Sequence, residues 1–171
     1  MLVNARLYQD ELNDLIKSIE FDFKYQYYFS SRQRNHNFEL TDEDSFYFVS
    51  INKNNEILGY ISYTIDNYTD CAYQFGLMAF KFNSKTFIID ILNLVNELFV
   101  DYNLNKIEWN CYEDNPSIKS YDYFCKLTNG YRCGKYLESN KLLDGKLHNS
   151  IMFELMRKDY LKSELYKRYN K

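Results

Sequence analysis

The sequence has little proline and little glycine, with one proline and five glycines in 171 residues. Long flexible linkers are rich in these residues, so the composition predicts no flexible linker between separate domains. A chain of this length also suits one hydrophobic core. We therefore predict a single domain over residues 1–159, followed by a basic C-terminal tail over residues 160–171 that is helical or frayed.

The sequence also lacks the long apolar run that a membrane-spanning helix needs, which is about 20 mainly apolar residues. Its longest apolar segment, residues 87–100, is interrupted by Asp90, Asn93, Asn96 and Glu97. The first ten residues carry charged side chains and no continuous apolar stretch, so they do not resemble a secretory signal. We expect neither a membrane partner nor export.

Excess positive charge is missing as well, because 21 Lys+Arg against 24 Asp+Glu give a net charge of −3. Proteins that bind phosphate backbones need a basic face, so nucleic acid is not an expected partner. The four cysteines have no C-x-x-C spacing, and only His36 and His148 could join them as metal ligands. The sequence predicts no metal site, reduced thiols and a cytoplasmic location.

What the sequence does contain is clear apolar periodicity. Leucine and isoleucine at helical spacing over residues 12–19 indicate that the first forty residues are mostly helical. Runs rich in β-branched and aromatic residues predict strands over 46–51, 57–65 and 72–80, the first two joined by a turn at 52–55. A stripe with a 3.6-residue period predicts a helix over 87–99, capped by Asn83 or Ser84.

The second half alternates between strands and helices. We predict a strand over 106–112, then a helix that starts at Asn115-Pro116 and ends at Asn129-Gly130, with Gly130 in the left-handed conformation. Strands over 131–137 and 149–157 follow, and then a short exposed helix. This order predicts a mixed sheet with helices on its faces, in which the strand after each crossover runs parallel to its predecessor.

Two segments in this half resemble the ending of the GNAT acetyltransferase superfamily. The first is Asn115-Pro116-Ser117-Ile118-Lys119-Ser120-Tyr121 with the later Asn129-Gly130-Tyr131, and the second is the strand that ends in Arg157-Lys158-Asp159. The element order of residues 1–159 is similar to that family too. The resemblance implies an α/β (α+β) fold with a mixed, mainly antiparallel sheet of about six or seven strands flanked by helices.

The resemblance also implies acetyl-CoA as the acyl donor, with its pyrophosphate on the loop that enters the helix at residue 87. Such loops normally contain glycines, yet here no glycine lies between Gly76 and Gly130, so the loop is a degenerate version of the family pattern. Amide groups at a helix start still favour an anion. The cofactor-binding candidates are Met78, Phe80, Lys81, Phe82, Asn83, Ser84, Lys85, Thr86 and Asn115.

For catalysis, the resemblance implies that a tyrosine near the start of the last helix protonates the leaving thiolate. Tyr121 is the candidate, with Tyr123 second. A general base must lie within reach of the amine. The base candidates are Glu108, Glu113, Asp70 and His36, and Glu108 is the one that we assign to the catalytic set. His148 is expected at the surface, and the cysteines are expected to fill small spaces in the core.

The sequence thus predicts an N-acetyltransferase that moves an acetyl group from acetyl-CoA to a primary amine of a small molecule or a protein, with a homodimer as one assembly. The family places the acceptor near residues 21–40 and 138–147, where Asp22, Glu39, Glu138 and Asp144 could attract a cation. The alternative is a catalytically inactive domain of the same fold that serves interaction or self-assembly, since tyrosine and phenylalanine supply contact area.

Overall fold

A computed structural model of the chain describes residues 1–29, 39–40 and 44–170. The strands are β1 (Leu2–Asn4), β2 (Ser45–Ile51), β3 (Ile57–Asp66), β4 (Cys71–Ala79), β5 (Lys106–Tyr112), β6 (Tyr131–Lys141) and β7 (Leu147–Met156). The α-helices are α1 (Gln9–Ile19), α2 (Lys85–Val100), α3 (Ile118–Thr128), α4 (Arg157–Tyr160) and α5 (Glu164–Tyr169), and two 3₁₀ segments cover Ala5–Tyr8 and Phe23–Tyr28. Across the described ranges, no helix is both long and apolar enough to cross a membrane.

The seven strands form one sheet in the order β1-β2-β3-β4-β5-β7-β6. Only β4 and β5 are parallel neighbours, and every other neighbouring pair is antiparallel. This confirms the mixed, mainly antiparallel sheet. Strand β1 was missed, because three residues are too few to show the alternation that marks a strand.

The sheet buries a separate apolar cluster on each face. We call the face covered by α2, α3 and α5 the helical face; its cluster includes Ile61, Leu98 and Phe153, all at 0% exposure. The opposite face carries a second cluster under α1 and the 3₁₀ segments, which includes Tyr60 and Met78. Side chains alternate along a strand, so neighbours such as Tyr60 and Ile61 serve different clusters.

Helix α2 starts as its sequence predicts. The Ser84 side-chain oxygen accepts a hydrogen bond from the Phe87 amide at 3.3 Å, which makes Ser84 the N-cap. The Phe87 ring lies directly on Gly59 of β3, where a Cβ atom would come within 2.5 Å of the ring. The missing side chain of Gly59 therefore fixes how closely the start of α2 approaches the sheet.

Asparagine takes several of the left-handed positions in this glycine-poor chain. Asn55, Asn83 and Asn129 have φ angles of 61°, 59° and 64°. Asn129, and not Gly130, is the left-handed residue that ends α3, so that detail of the prediction was wrong. Asparagine tolerates this conformation better than most side chains, and the Asn129 amide also donates to the Asp159 carbonyl at 3.1 Å.

The C-terminal segment is helical, as predicted, but part of it is buried. Tyr160 is 0% exposed and Leu165 is 5% exposed, and both belong to the cluster on the helical face. The Tyr160 hydroxyl donates to the side chain of Asn96 at 2.9 Å. The prediction of an exposed helix was therefore wrong for these two residues, while the boundary at residue 159 stays a prediction.

Candidate active site

The candidate site is a cleft where β4 and β5 separate. The two strands are in register only at Cys71–Lys106 and Ala72–Ile107, near their amino ends. Gln74 follows with a φ of 53°, and the register of β4 against β3 shifts at this point, so β4 bulges where the strands diverge. Beyond it lies a cleft of ≈ 640 Å³ lined from both strands, α3 and the 3₁₀ segment Phe23–Tyr28.

The cleft opens onto both faces of the sheet, because side chains of β5 alternate along its wall. Trp109 and Cys111 point to the helical face, where both are buried in the apolar cluster. Glu108, Asn110 and Tyr112 therefore point to the opposite face. All five of these residues line the cleft.

On the helical face, Tyr121 of α3 lines the cleft, and its catalytic role stays a prediction. Its ring centroid is 6.4 Å from that of Trp109 and 5.9 Å from that of Phe153. Burial raises the pKa of the Tyr121 hydroxyl, because the ionised form would lose its hydration. Tyr121 therefore stays protonated at neutral pH.

The neighbouring thiol is not suited to act as a nucleophile. Burial raises the pKa of Cys111 to about 12, so its reactive thiolate form is rare at neutral pH. Cys125 of α3 is also buried, and burial raises its pKa to about 11. These cysteines fit their predicted role as small apolar side chains of the core.

On the opposite face, Glu108 belongs to a row of charged groups. Lys106 forms ion pairs with Glu108 and, at 3.3 Å, with Glu154 of β7. The Tyr131 hydroxyl donates to the second carboxylate oxygen of Glu154 at 2.9 Å. The hydrogen bond that Lys106 donates to Glu108 is the largest of the effects that raise the pKa of Lys106, so this ammonium stays charged.

The far end of the cleft is lined by Tyr27 and Tyr112, whose ring centroids are 6.3 Å apart. His148 lies edge-on to both rings and is only 7% exposed. Its Nδ1 atom is 3.1 Å from Asp114 Oδ2, and its Nε2 atom is 3.1 Å from Asp144 Oδ1. The prediction that His148 is a surface residue was wrong, because these two carboxylates satisfy both ring nitrogens of a buried histidine.

The loop predicted to bind pyrophosphate lies at the start of α2. Lys81, Phe82, Asn83, Lys85 and Thr86 are exposed there, and Ser84 is partly exposed. Lys81 forms an ion pair with Glu56 at 2.9 Å, which partly neutralises its charge. The Phe82 ring lies 5.4 Å from the Tyr25 ring and under the ammonium group of Lys24, whereas Phe87 is buried.

Other predicted cofactor residues lie along the wall between this loop and α3. Met78 and Asn115 line the cleft, whereas Phe80 packs against the cluster under α1. The Asn115 side chain accepts a hydrogen bond from the Ser117 amide at 2.9 Å, so it caps the turn that leads into α3. The Tyr28 hydroxyl accepts from the Ala79 amide at 3.1 Å, on the edge of β4 that faces the cleft.

Several candidates are not brought into the cleft. Tyr123 is 61% exposed, because two residues along a helix turn a side chain to about the opposite side. Glu113 lies outside the lining and pairs with Lys135 at 2.7 Å, and Asp70 lies at the closed end beside the paired strands. His36 lies outside the described residues.

Two of the four acidic residues predicted near the acceptor are engaged in hydrogen bonds within the protein. Asp22 accepts a hydrogen bond from the Lys24 amide and caps the 3₁₀ segment Phe23–Tyr28. Asp144 accepts from the Lys146 amide and contacts His148, and these contacts lower its pKa. Glu39 and Glu138 are exposed.

Tyr27, Tyr28, Tyr112 and Trp109 line the cleft but were not among the predicted site residues. Local spacing could not identify them, because Tyr27 and Tyr112 lie far apart in sequence and meet only in the folded sheet. The one available signal was Trp109, the single tryptophan, at a buried position of a predicted strand.

Comparisons with known proteins identify the fold. No family model matches the sequence, and no curated protein matches it significantly. Solved structures do match, and among them is the spermidine/spermine N-acetyltransferase SpeG from Vibrio cholerae in complex with manganese ions. Its TM-score is 0.62 at 16% identity, over 90% of this chain and 77% of that chain.

Two further SpeG structures superpose more closely. A chimera of the Vibrio cholerae enzyme with hSSAT gives a TM-score of 0.70 at 18% identity, over 94% of this chain and 99% of that chain. Mutant forms of the Vibrio cholerae enzyme also give 0.70, at 16% identity over 94% and 96%. The chain therefore has the GNAT fold, with its parallel β4–β5 pair at the centre. At this identity the likeness shows the fold alone.

Proposed function

We propose that this protein is an N-acetyltransferase that transfers an acetyl group from acetyl-CoA to a primary amine of a small molecule or a protein. The observation that carries the proposal is the cleft between β4 and β5, which has a protonated tyrosine on one face and a carboxylate on the other. Two substrates could approach each other through this gap from opposite faces of the sheet.

The start of α2 is suited to the pyrophosphate of acetyl-CoA. The first amides of a helix have no acceptor within the helix, and here they belong to the exposed Lys85 and Thr86. Asn83 supplies the left-handed turn that glycine supplies elsewhere. Lys85 adds a positive charge, and the edge of β4 leads from this loop toward Tyr121.

Acetyl-CoA would supply a thioester, whose carbonyl carbon is attacked by a neutral amine. In our assignment Glu108 accepts a proton from the ammonium group of the acceptor, directly or through water. The new C–N bond forms as the C–S bond breaks, and Tyr121 gives its proton to the departing sulfur. The nitrogen loses its second proton to solvent, Glu108 releases the proton that it accepted, and Tyr121 is reprotonated from solvent, so the net products are the amide, the CoA thiol and one proton.

The single tryptophan gives a direct test of cofactor binding. Trp109 lines the cleft, so its fluorescence should change when acetyl-CoA is titrated into the protein. Replacing Lys85 with alanine should weaken binding about two- to fivefold, as expected for one exposed ion pair. Lys126→Ala, an exposed lysine of α3, is the matched control and should bind normally. No change in fluorescence and no thermal stabilisation at millimolar acetyl-CoA would overturn the proposal.

The second candidate function is an inactive GNAT-fold domain used for interaction. The observation that favours it is the hydrogen bond from the Ala79 amide to Tyr28, which occupies a donor on the cleft edge of β4. Tyr28→Phe frees this donor without adding volume. If wild-type protein fails to bind acetyl-CoA and Tyr28→Phe also fails, the interaction module is the better description. A homodimer and a cytoplasmic location stay predictions, which ultracentrifugation and cell fractionation can test.

A further inference from the structure

The half of the cleft on the face opposite the helical face carries five tyrosine side chains. Tyr27, Tyr28 and Tyr60 come from one side of the gap, and Tyr112 and Tyr136 from the other. Tyr136 is the cross-strand partner of Ser150, and Ser150 is the partner of Tyr112, so these side chains form one row across β6, β7 and β5. Burial raises the pKa of Tyr27, Tyr28 and Tyr60, so these rings remain neutral at neutral pH.

This half of the cleft carries very little charge. Among the described lining residues, Glu108 is the one charged side chain. Its row contains two carboxylates, Glu108 and Glu154, and one ammonium group, Lys106, which gives a net charge of −1. The nearby Asp114 and Asp144 lie outside the lining and are engaged with His148. One ammonium group on a ligand would therefore neutralise the row.

Between the charged row and the aromatic row lies an uncharged floor. Asn110 faces Met152 across the β5–β7 pair, and Gly134 faces Met152 from β6. A Cβ atom at Gly134 would contact the Met152 sulfur at 3.4 Å, so the missing side chain of Gly134 leaves space beside Met152. Rows on one face of a strand repeat about every 7 Å, which leaves room for a carbon linker between an amine and a ring.

From this arrangement we infer that the acceptor is an arylalkyl monoamine, with its ammonium group at Glu108 and its aromatic body against Tyr27, Tyr112 and Tyr136. The inference rests on the proposed function and narrows its substrate class. Tyrosine rings pair well with another aromatic ring in offset or edge-on geometry. A polyamine would bring further ammonium groups into a lining that offers them no second carboxylate, at a cost in desolvation.

The test compares primary amines that carry aromatic, aliphatic or polyamine groups. Thiol release with saturating acetyl-CoA is measured for tryptamine, phenethylamine, hexylamine and spermidine, and calorimetry measures the binding of each amine. We expect kcat/KM for the aromatic amines to exceed that for spermidine by about 10–100-fold, in the range of pocket discrimination. Tyr112→Ala should raise KM for tryptamine about tenfold and leave KM for hexylamine nearly unchanged. Tyr68→Ala, a fully exposed tyrosine, is the control.

The outcomes separate the two proposals. Turnover of spermidine at least as fast as tryptamine, or an equal effect of Tyr112→Ala on tryptamine and hexylamine, overturns the inference and leaves acetyl transfer standing. If acetyl-CoA does not bind, the proposed function fails, and calorimetry still decides the inference. Tighter binding of tryptamine than of spermidine then supports the aromatic site, and equal or absent binding of both overturns it.

Discussion

The two edges of β4 are built in opposite ways. Toward β3, the strand is paired along nearly its whole length, from Ala79 opposite Gly59 to Cys71 opposite Asp66, with one bulge. Toward β5, only two residues are in register. The same nine residues thus complete the sheet on one side and leave a cleft on the other. If the proposed function is correct, stability and ligand binding are separated across the width of one strand, so variants on the two edges should have different effects.

The largest effect is expected on the cleft edge. Tyr121→Phe removes the proposed proton donor and keeps the ring that packs near Trp109 and Phe153. We expect kcat to fall about 10²–10⁴-fold, the usual contribution of a positioned acid, with little change in melting temperature. Steady-state thiol release and thermal denaturation measure the two quantities. If Tyr123→Phe produces the loss instead, Tyr121 is not the acid.

The reverse result is expected on the paired edge. Ile61 of β3 is 0% exposed, belongs to the apolar cluster on the helical face, and is not among the described residues that line the cleft. Ile61→Ala should lower the free energy of unfolding by about 2–5 kcal/mol, because it removes buried carbon and leaves a cavity. Urea denaturation measures the loss, and kcat at low temperature should remain near wild type. A drop in kcat matching that of Tyr121→Phe would show that the two edges are not independent.

A smaller effect is expected for Gly59, which lies on the paired edge and also contacts the start of α2. Gly59→Ala places a methyl group against the Phe87 ring and must displace the start of α2. We expect a loss of stability of about 1–3 kcal/mol from overpacking, together with a higher KM for acetyl-CoA. Gly134→Ala is the matched control for stability, since its Cβ would meet only the flexible Met152 at 3.4 Å. Unchanged KM in Gly59→Ala would mean that the start of α2 does not hold the cofactor.

The smallest effect at neutral pH concerns the stability that buried tyrosines contribute to the fold. This effect grows as the pH becomes alkaline. Burial raises the pKa of Tyr60, Tyr63, Tyr121 and Tyr160. Their neutral form is favoured in the fold, so stability is fully present below the unfolded value of about 10 and falls as pH rises above it. Urea midpoints and tyrosinate absorbance against pH should change together. Complete ionisation at ordinary tyrosine pKa values in a folded protein would contradict this.

Much of the fold followed from local pattern. The apolar stripe of α2, its Ser84 cap and the alternation in β5 were correct because each depends on neighbours in sequence. The candidate site followed in part, since Tyr121 and Glu108 both line the cleft. His148 could not be placed from its own segment, because its burial depends on Asp114, which is 34 residues away. Tyr27 and Tyr112 were missed for the same reason.

The left-handed residue in the loop before α2 has a consequence for how such proteins are found. Search patterns for dinucleotide-like loops look for glycine, since it adopts this backbone shape without strain. Here an amide side chain does so at Asn83, with a φ of 59°. Proteins of this fold with asparagine at this position would escape a glycine-based screen. A screen that also accepts asparagine at this position, followed by comparison of folds, should recover more of them.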